Sequence, residues 1–466
     1  MKNLPQGFKE VVAEAVGEVA ADRLMEAVAT AQPVVAVRAN PAKGAAPAPD
    51  AERVPWEPLG VYIPQRPLFA ADPAWHQGRY YVQDASSMAL GEVIRRLVER
   101  YPHLQQPLRY LDACAAPGGK SIAALDALPD GSFLVANEFD RQRANILAEN
   151  IARHGNPSVA VTRGDTALLA RLGEHFDIIG ADVPCSGEGM MRKDEAAVAQ
   201  WSKGLIAQCA ALQQEIIHNL WKILRPGGFL IYSTCTFNST ENEGNVAMMM
   251  DHYGAESINI GLESYPGVIP SAHDGIFGYR FMPGHVRGEG LFISVLRKPG
   301  ETSEHSSRMP RLPKEDAAAR KFVKNYVRNA DNGIISGLSL YPEQHIKLCL
   351  ALEKHPSPIR IGLPFAEPKG KELAPTHTLA LSTSLAQIPV AELDYANAMA
   401  FLRREAPVLP EGTPRGFVAP AFAGWPLGWC KNIGNRANNL LPDYLRLRLD
   451  ARSLPDSPPQ LPLIYL

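Results

Sequence analysis

The chain has 466 residues, 46% hydrophobic and 21% charged, the proportions of a globular protein able to fill roughly two to four domains. A formal net charge of -2 excludes a globally basic polyanion binder, so any nucleic-acid surface has to be local. No apolar run is long enough to span a bilayer, and the six cysteines (Cys114, Cys185, Cys209, Cys235, Cys349, Cys430) contain no Cys-x-x-Cys pair, which disfavours a zinc site and a disulfide framework.

Phe8, Val11, Val12, Ala15, Val16 and Val19 recur at helical spacing, and Leu24, Met25 and Val28 continue the pattern. Glu10, Glu14, Glu18 and Asp22 interrupt it, which argues against a secretory signal or transit peptide and makes a cytoplasmic protein the expectation. Pro33 to Arg38 reads as a strand and Asn40 to Pro49 as a loop, so residues 1–70 are expected to form a small separate α+β unit. Ser86 or Ser87 is placed to cap a helix from Met88 to Tyr101.

Between Arg109 and Lys298 strands and helices alternate, which predicts an α/β domain over residues 71–298 with a mostly parallel sheet covered on both faces. Its strands are Leu108 to Ala113, Phe133 to Asn137, Val159 to Thr162, Phe176 to Ala181 and Gly228 to Tyr232, and a long helix covers Leu205 to Leu224. Gly278 to Met282 and Leu291 to Leu296 are expected as a closing antiparallel pair. Residues 299–313 read as a linker, 314–395 as a small α+β domain and 396–466 as a last module. Two local basic faces stand out: Lys314, Arg320, Lys321, Lys324 and Arg328, then Lys431, Arg436, Arg446 and Arg448. Each by itself is ordinarily a solvated face.

The chemistry collects at strand ends, where open α/β sheets bind ligands. Gly118-Gly119 sits between a strand and a helix, where backbone can approach a ligand closely. The pattern is neither GxGxxG nor the phosphate-binding GxxxxGK[ST], which points to an adenosine cofactor of another kind. Glu138 closes the second strand and is placed to take both ribose hydroxyls, and Asp165 follows the third strand within reach of an adenine amino group. A lone strand-end carboxylate is usually a turn residue or a cap; with Asp182 after the fourth strand there are three in register.

Asp182-Val183-Pro184-Cys185 and Ser233-Thr234-Cys235 end two strands expected to be neighbours, so the two thiols should face one cleft. On position alone Cys235 reads either as a nucleophile or as an inert buried thiol. Thr240 to Glu243 fits a capping box opening the next helix. Two thiols, a carboxylate and a nucleoside site suit methylation of pyrimidine carbon 5. A thiolate adding to carbon 6 makes carbon 5 nucleophilic, and a second thiol serves the later release. Asp182 is placed to bond N4 of cytosine and, when protonated, N3.

At these residues the chain resembles the S-adenosylmethionine-dependent RNA cytosine-5 methyltransferases of the Sun (RsmB/RsmF) family. The matching stretches are Leu111 to Lys120, Asn137 to Asp140, Asp182 to Gly187 and Ser233 to Thr236, in the family's order. The short N-terminal unit and the C-terminal Gly424 to Trp429 and Asn438 to Pro442 make it most similar to the family's 16S ribosomal RNA branch, with a PUA-like RNA-binding module at 396–466.

The resemblance implies a Rossmann-like class I methyltransferase domain, with Cys114, Ala115, Ala116, Pro117, Gly118, Gly119, Lys120, Glu138, Asp165 and Asp182 around S-adenosylmethionine. It implies catalysis by Cys235 as nucleophile, Cys185 in release, and Asp182. DNA cytosine-5 methyltransferases use the Pro-Cys thiol instead. Cys114 departs from the small non-thiol residue of relatives and is expected to pack, meeting cofactor through its backbone. The implied partner is RNA, 16S ribosomal RNA in a small subunit, met by a monomer without metal or membrane. The same reaction on tRNA, or a non-catalytic assembly factor, are the alternatives. A strand-end cleft requires the base to leave its stack. Arg192 and Lys193 are candidate phosphate contacts, or surface charges on a loop.

Overall fold

The structure, a computed structural model, describes residues 4–30, 32–271, 273, 275–301, 310–370 and 372–465. Most of the expected linker at 299–313 lies outside the described residues.

Five parallel strands form the centre of a ten-stranded sheet: β1 (Arg109–Asp112), β2 (Phe133–Glu138), β3 (Val159–Arg163), β4 (Phe176–Asp182) and β5 (Leu224–Thr234), in spatial order 3-2-1-4-5. β1, β2 and nearly all of β4 and β5 are buried, as expected for strands with helices on both faces. The helices α1 (Gly119–Ala127), α2 (Arg141–His154), α3 (Lys203–Ile223) and α4 (Glu243–Tyr253) follow β1, β2, β4 and β5. β6 (Gly278–Phe281) and β7 (Leu291–Arg297) close the β5 edge antiparallel, as their pattern predicts. Strand order reverses between β1 and β4, which places the ligand crevice at the carboxyl ends there.

The N-terminal unit is less separate than expected. Gly17, at φ 82°, divides its apolar run into helices Phe8–Val16 and Glu18–Thr30, and the break turns Val19 outward to 74% exposure. The following four-stranded sheet continues past residue 70 to Tyr80–Val82. Inside the expected loop after Asn40, Ala45–Pro47 pairs with Leu463–Tyr465 from the other end of the chain. Neither Ser86 nor Ser87 caps the helix Ala89–Arg100 through its side chain; Asp84 takes the Ser87 amide instead, at 3.1 Å.

Residues 314–395 also depart from an independent domain. β8 (Pro358–Ile361) adds to the β3 edge antiparallel, and Tyr341, Ile346, Leu348 and Leu352 share one core with Phe133, Val135 and Ile179. The edge strand β3 and its apolar neighbours need that cover. Beyond it, Val390–Glu392, Gly416–Phe422, Cys430–Asn432 and Ala437–Asn439 form a separate sheet. No described helix is long and apolar enough to cross a membrane.

A buried cluster ties the first sheet to the α/β domain. Arg38, 1% exposed, donates to Asp126 of α1 at 2.5 Å, and His154 at the end of α2 lies 3.2 Å from the other carboxylate oxygen. Burial works against the Asp126 charge, but Arg38 and His154 outweigh it and hold the carboxyl below its ordinary value. A depressed carboxylate contributes stability that is present above its unfolded pKa and lost as pH falls through the folded one. Asp126→Asn should therefore cost about 3 kcal/mol in urea unfolding at neutral pH. The wild-type advantage should shrink below about pH 4.

Candidate active site

The parallel pairing of β4 and β5 sets Asp182 opposite Ser233, and the Val183 amide donates to the Ser233 carbonyl at 3.1 Å. From that shared register each chain turns off the sheet within three residues, and the Cys185 and Cys235 sulfurs come to 3.2 Å. Both thiols are free and partly exposed. The hydrogen bond with Cys235, and then burial, push the Cys185 thiol well above its ordinary value. The two sulfurs thus share one hydrogen bond.

Asp182 accepts from the Ser233 hydroxyl at 2.9 Å through one oxygen and from the Lys120 ammonium at 2.9 Å through the other. Burial disfavours the Lys120 charge, but Asp182, with the Cys235 sulfur further off, holds its pKa above the ordinary value. A fixed cation thus stands beside the carboxylate and near one thiol.

Two carboxylates missed as site residues hold the thiol loops. Glu241 accepts from the Ser186 backbone amide (3.0 Å) and hydroxyl (2.5 Å), from Gln213 Nε2 (2.7 Å) and from the Asn238 side chain through Nδ2 (2.9 Å), which pins the Cys185 loop to the Cys235 loop. Glu188 accepts from the Phe237 and Asn238 amides at 2.6 and 3.1 Å and from Trp201 at 3.0 Å. The Gly189 amide donates to the Cys235 carbonyl at 2.8 Å. Both glutamates are fully buried, so every bond counts against a large desolvation cost. A usable signal existed: each acid follows a cysteine within six residues with no other charge between them.

The expected capping box is not formed. α4 starts at Glu243, its N-cap Asn242 makes no side-chain cap, and Glu241 is committed to Ser186. Glu243 instead pairs with buried Arg280 of β6 at 2.6 Å.

On the other side of the switch point, the loop from Cys114 to Gly118 leads into α1, with Gly118 at φ 111° where only glycine is unstrained. The Gly118 and Gly119 amides donate to no protein atom among the described residues. Glu138, at the end of β2, accepts from the Ala116 amide at 3.3 Å and the Asp140 amide at 3.0 Å. Asp165 follows β3 and caps the short helix Thr166–Ala170 by accepting from the Ala167 amide at 2.8 Å. Cys114 packs against the core beneath, and burial raises its thiol pKa. Asp112, unmarked from sequence, accepts from Ser121 at 2.6 Å and is pushed up to about 7, chiefly by burial. Free amides at a helix start with two strand-end carboxylates suit a nucleoside carrying hydroxyls and an amino group.

The profile of 16S rRNA methyltransferase RsmB/F matches residues 102–297, that of the N-terminal domain of 16S rRNA methyltransferase RsmF residues 4–85, and that of the methyltransferase RsmF PUA domain residues 389–447. Ribosomal RNA small subunit methyltransferase F of Shewanella loihica is 30% identical over 401 residues, 81% of this chain and 80% of that one. The protein of the same name from Escherichia coli strain SE11 is 31% identical over 424 residues, 84% of each. The chain belongs to the RsmB/F methyltransferase family.

Two solved structures share the fold of this RsmB/F member. NSun6 of Pyrococcus horikoshii, solved with SFG, has a TM-score of 0.51 at 22% identity, over 64% of this chain and 99% of that one. A methyltransferase homolog protein of the same organism also gives 0.51, at 24% identity over 62% and 93%. The Rossmann-like class and the C-terminal PUA domain expected from sequence are thereby borne out.

Of the two candidate phosphate contacts, Arg192 needs correction, as a loop surface charge as well. Arg192 is buried and holds Glu289 at 2.7 Å and the Gly288 carbonyl at 2.8 Å. Its guanidinium is used inside the protein because Glu289 is itself buried and needs a cation. Lys193 reaches Glu289 at 3.5 Å and remains exposed.

Glu241→Ala should take a partner from each of four buried donors, costing at least about 2 kcal/mol in thermal unfolding. The loosened thiol pair should lower methyl transfer by about 100-fold. Glu241→Gln, which keeps the volume, should fall between.

Proposed function

We propose that this family member methylates carbon 5 of a cytosine in 16S ribosomal RNA through a covalent bond between Cys235 and carbon 6 of the base. The observation that carries the reading is the contact of two thiols at 3.2 Å beside the Lys120–Asp182 pair. Cys235 attacks because Cys185, with its raised pKa, retains the proton between them and Lys120 favours negative charge on its neighbour. The new sulfur–carbon bond uses the Cys235 electron pair and moves the ring double-bond electrons to carbon 5.

S-adenosylmethionine suits the crevice, where residues 114–120 with Glu138, Asp165 and Asp182 would hold it, and it would supply an electrophilic methyl group. An S-adenosylmethionine analogue, SFG, in a structural neighbour supports that choice. Asp182, fixed by Ser233 and Lys120, is placed to accept from the cytosine amino group and, when it carries a proton, to donate to N3, which spreads the charge that develops. Bonding of Cys235 to carbon 6 removes the chief cause of the raised Cys185 pKa, so Cys185 gives its proton to solvent and, as a thiolate, accepts the carbon 5 proton. The electrons left behind re-form the double bond and expel Cys235.

The relatives named ribosomal RNA small subunit methyltransferase F, together with the PUA match, support small-subunit RNA as the partner. In this reading the N-terminal unit and the C-terminal module present the RNA, and the target base swings out to reach the cleft.

Cys235→Ala should abolish methylation and give no protein–RNA species in a denaturing gel. Cys185→Ala should bind covalently and stall, so that a denaturation-resistant adduct accumulates. An adduct formed without Cys235 would reverse the two roles. Bisulfite mapping of ribosomal and transfer RNA from a deletion strain should show the loss of a 5-methylcytosine in 16S RNA; a loss confined to tRNA would refute the substrate.

A further inference from the structure

Two adjoining cavities, of about 850 and 400 Å³, run along the outer face of α2 and share Ala70, Trp75 and Arg153 as lining. The larger is walled by α2, by residues 70–76 and by the C-terminal segment 444–448. The smaller reaches Tyr81 and Asn150. Asn150 donates to the Pro117 carbonyl at 2.7 Å, so this end of the groove abuts the loop before α1.

The lining alternates cations with aromatic faces. Arg153 lies 3.9 Å from the centre of the Trp75 ring and Arg66 lies 5.4 Å from that of Phe69. At the far rim Tyr444 is 69% exposed, and the exposed Arg446 and Arg448 have no ion pair among the described residues. Arg360 is buried in the wall, bonds only backbone carbonyls, and leaves Nη1 without a partner. Burial lowers its pKa to about 10, so it stays charged at neutral pH. Against these cations stands one acid among the described lining, Glu149, whose carboxyl is raised by burial.

In a chain of net charge -2, cations gathered along one groove with a single acid among its described lining favour an external anion there. Phosphates alone would not call for aromatic faces, and an apolar ligand would not call for the arginines. Cations spaced between stackable rings match a single nucleic-acid strand. We propose that the groove along α2 holds a single-stranded segment of the RNA substrate, with Arg446 and Arg448 on phosphates and Tyr444 stacking on a base. The proposal rests on RNA being the substrate and extends it. The strand is gripped jointly by the catalytic domain, the N-terminal unit and the C-terminal module.

The test uses the full chain and a fluorescent single-stranded RNA of mixed sequence, followed by anisotropy across a salt series. Arg446→Glu with Arg448→Glu should weaken binding about tenfold or more and reduce the salt slope by about 1.4, two single-strand phosphate contacts. Tyr444→Ala should weaken it about fivefold or more, with recovery in Tyr444→Phe. Lys321→Glu with Lys324→Glu makes the same charge change on the other basic face and should leave RNA affinity within about twofold. S-adenosylmethionine affinity by calorimetry should match the parent in all variants.

Unchanged RNA affinity and salt slope in the arginine variant would overturn the groove, as would an equal loss in the lysine variant. Methyl transfer by the parent to 16S RNA is measured alongside. A parent that transfers no methyl group, while the arginine variant still loses RNA, would refute the proposed reaction and leave the groove standing.

Discussion

Everything at the site depends on the parallel pairing of β4 with β5. Hydrogen bonds between adjacent parallel strands set Asp182 against Ser233, and the same register carries two short loops off the sheet side by side. Thiols fifty residues apart in sequence thereby share one hydrogen bond. A slip of one residue would turn each alternate side chain to the other face and separate them. The loops leaving the strands have no sheet partner beyond Val183, so their placement falls to buried carboxylates. Glu241 and Glu188 do this because an ionised group accepts several short bonds at once and is costly to leave unpaired.

The same logic extends outward. Arg38, Asp126 and His154 join the first sheet to α1 and α2, and β8 covers the outer edge of β3 with residues from far down the chain. The pairing of Ala45–Pro47 with Leu463–Tyr465 closes the molecule end to end. Units that look modular in composition therefore share cores and strands with the catalytic domain. The cavities along α2 exist because three such units meet there, and none of them alone supplies more than one wall.

Much of this was legible in the chain before any coordinates. Near-continuous apolar runs bounded by glycine and acidic residues marked all five central strands, since a strand buried on both faces tolerates little else. The strand ends carrying Glu138, Asp165, Asp182, Cys185 and Cys235 were visible for the same reason. Illegible were the features made by distant contacts. The Thr240 to Glu243 stretch has the composition of a capping box, yet Glu241 bonds Ser186 and Glu243 bonds Arg280. Arg192 looks like a loop cation until Glu289, a hundred residues on, is found beside it.

By itself, then, the sequence determined the order of strands and helices, the crevice at their carboxyl ends and the residue types that line it. Local propensity and periodicity act within a dozen residues, and those features are local. Only the tertiary structure decided that the two thiols touch, that the Cys185 thiol is raised by its neighbour and by burial, and which charges face inward to a partner. Those are matters of desolvation and distance between groups remote in the chain, and no local pattern encodes them.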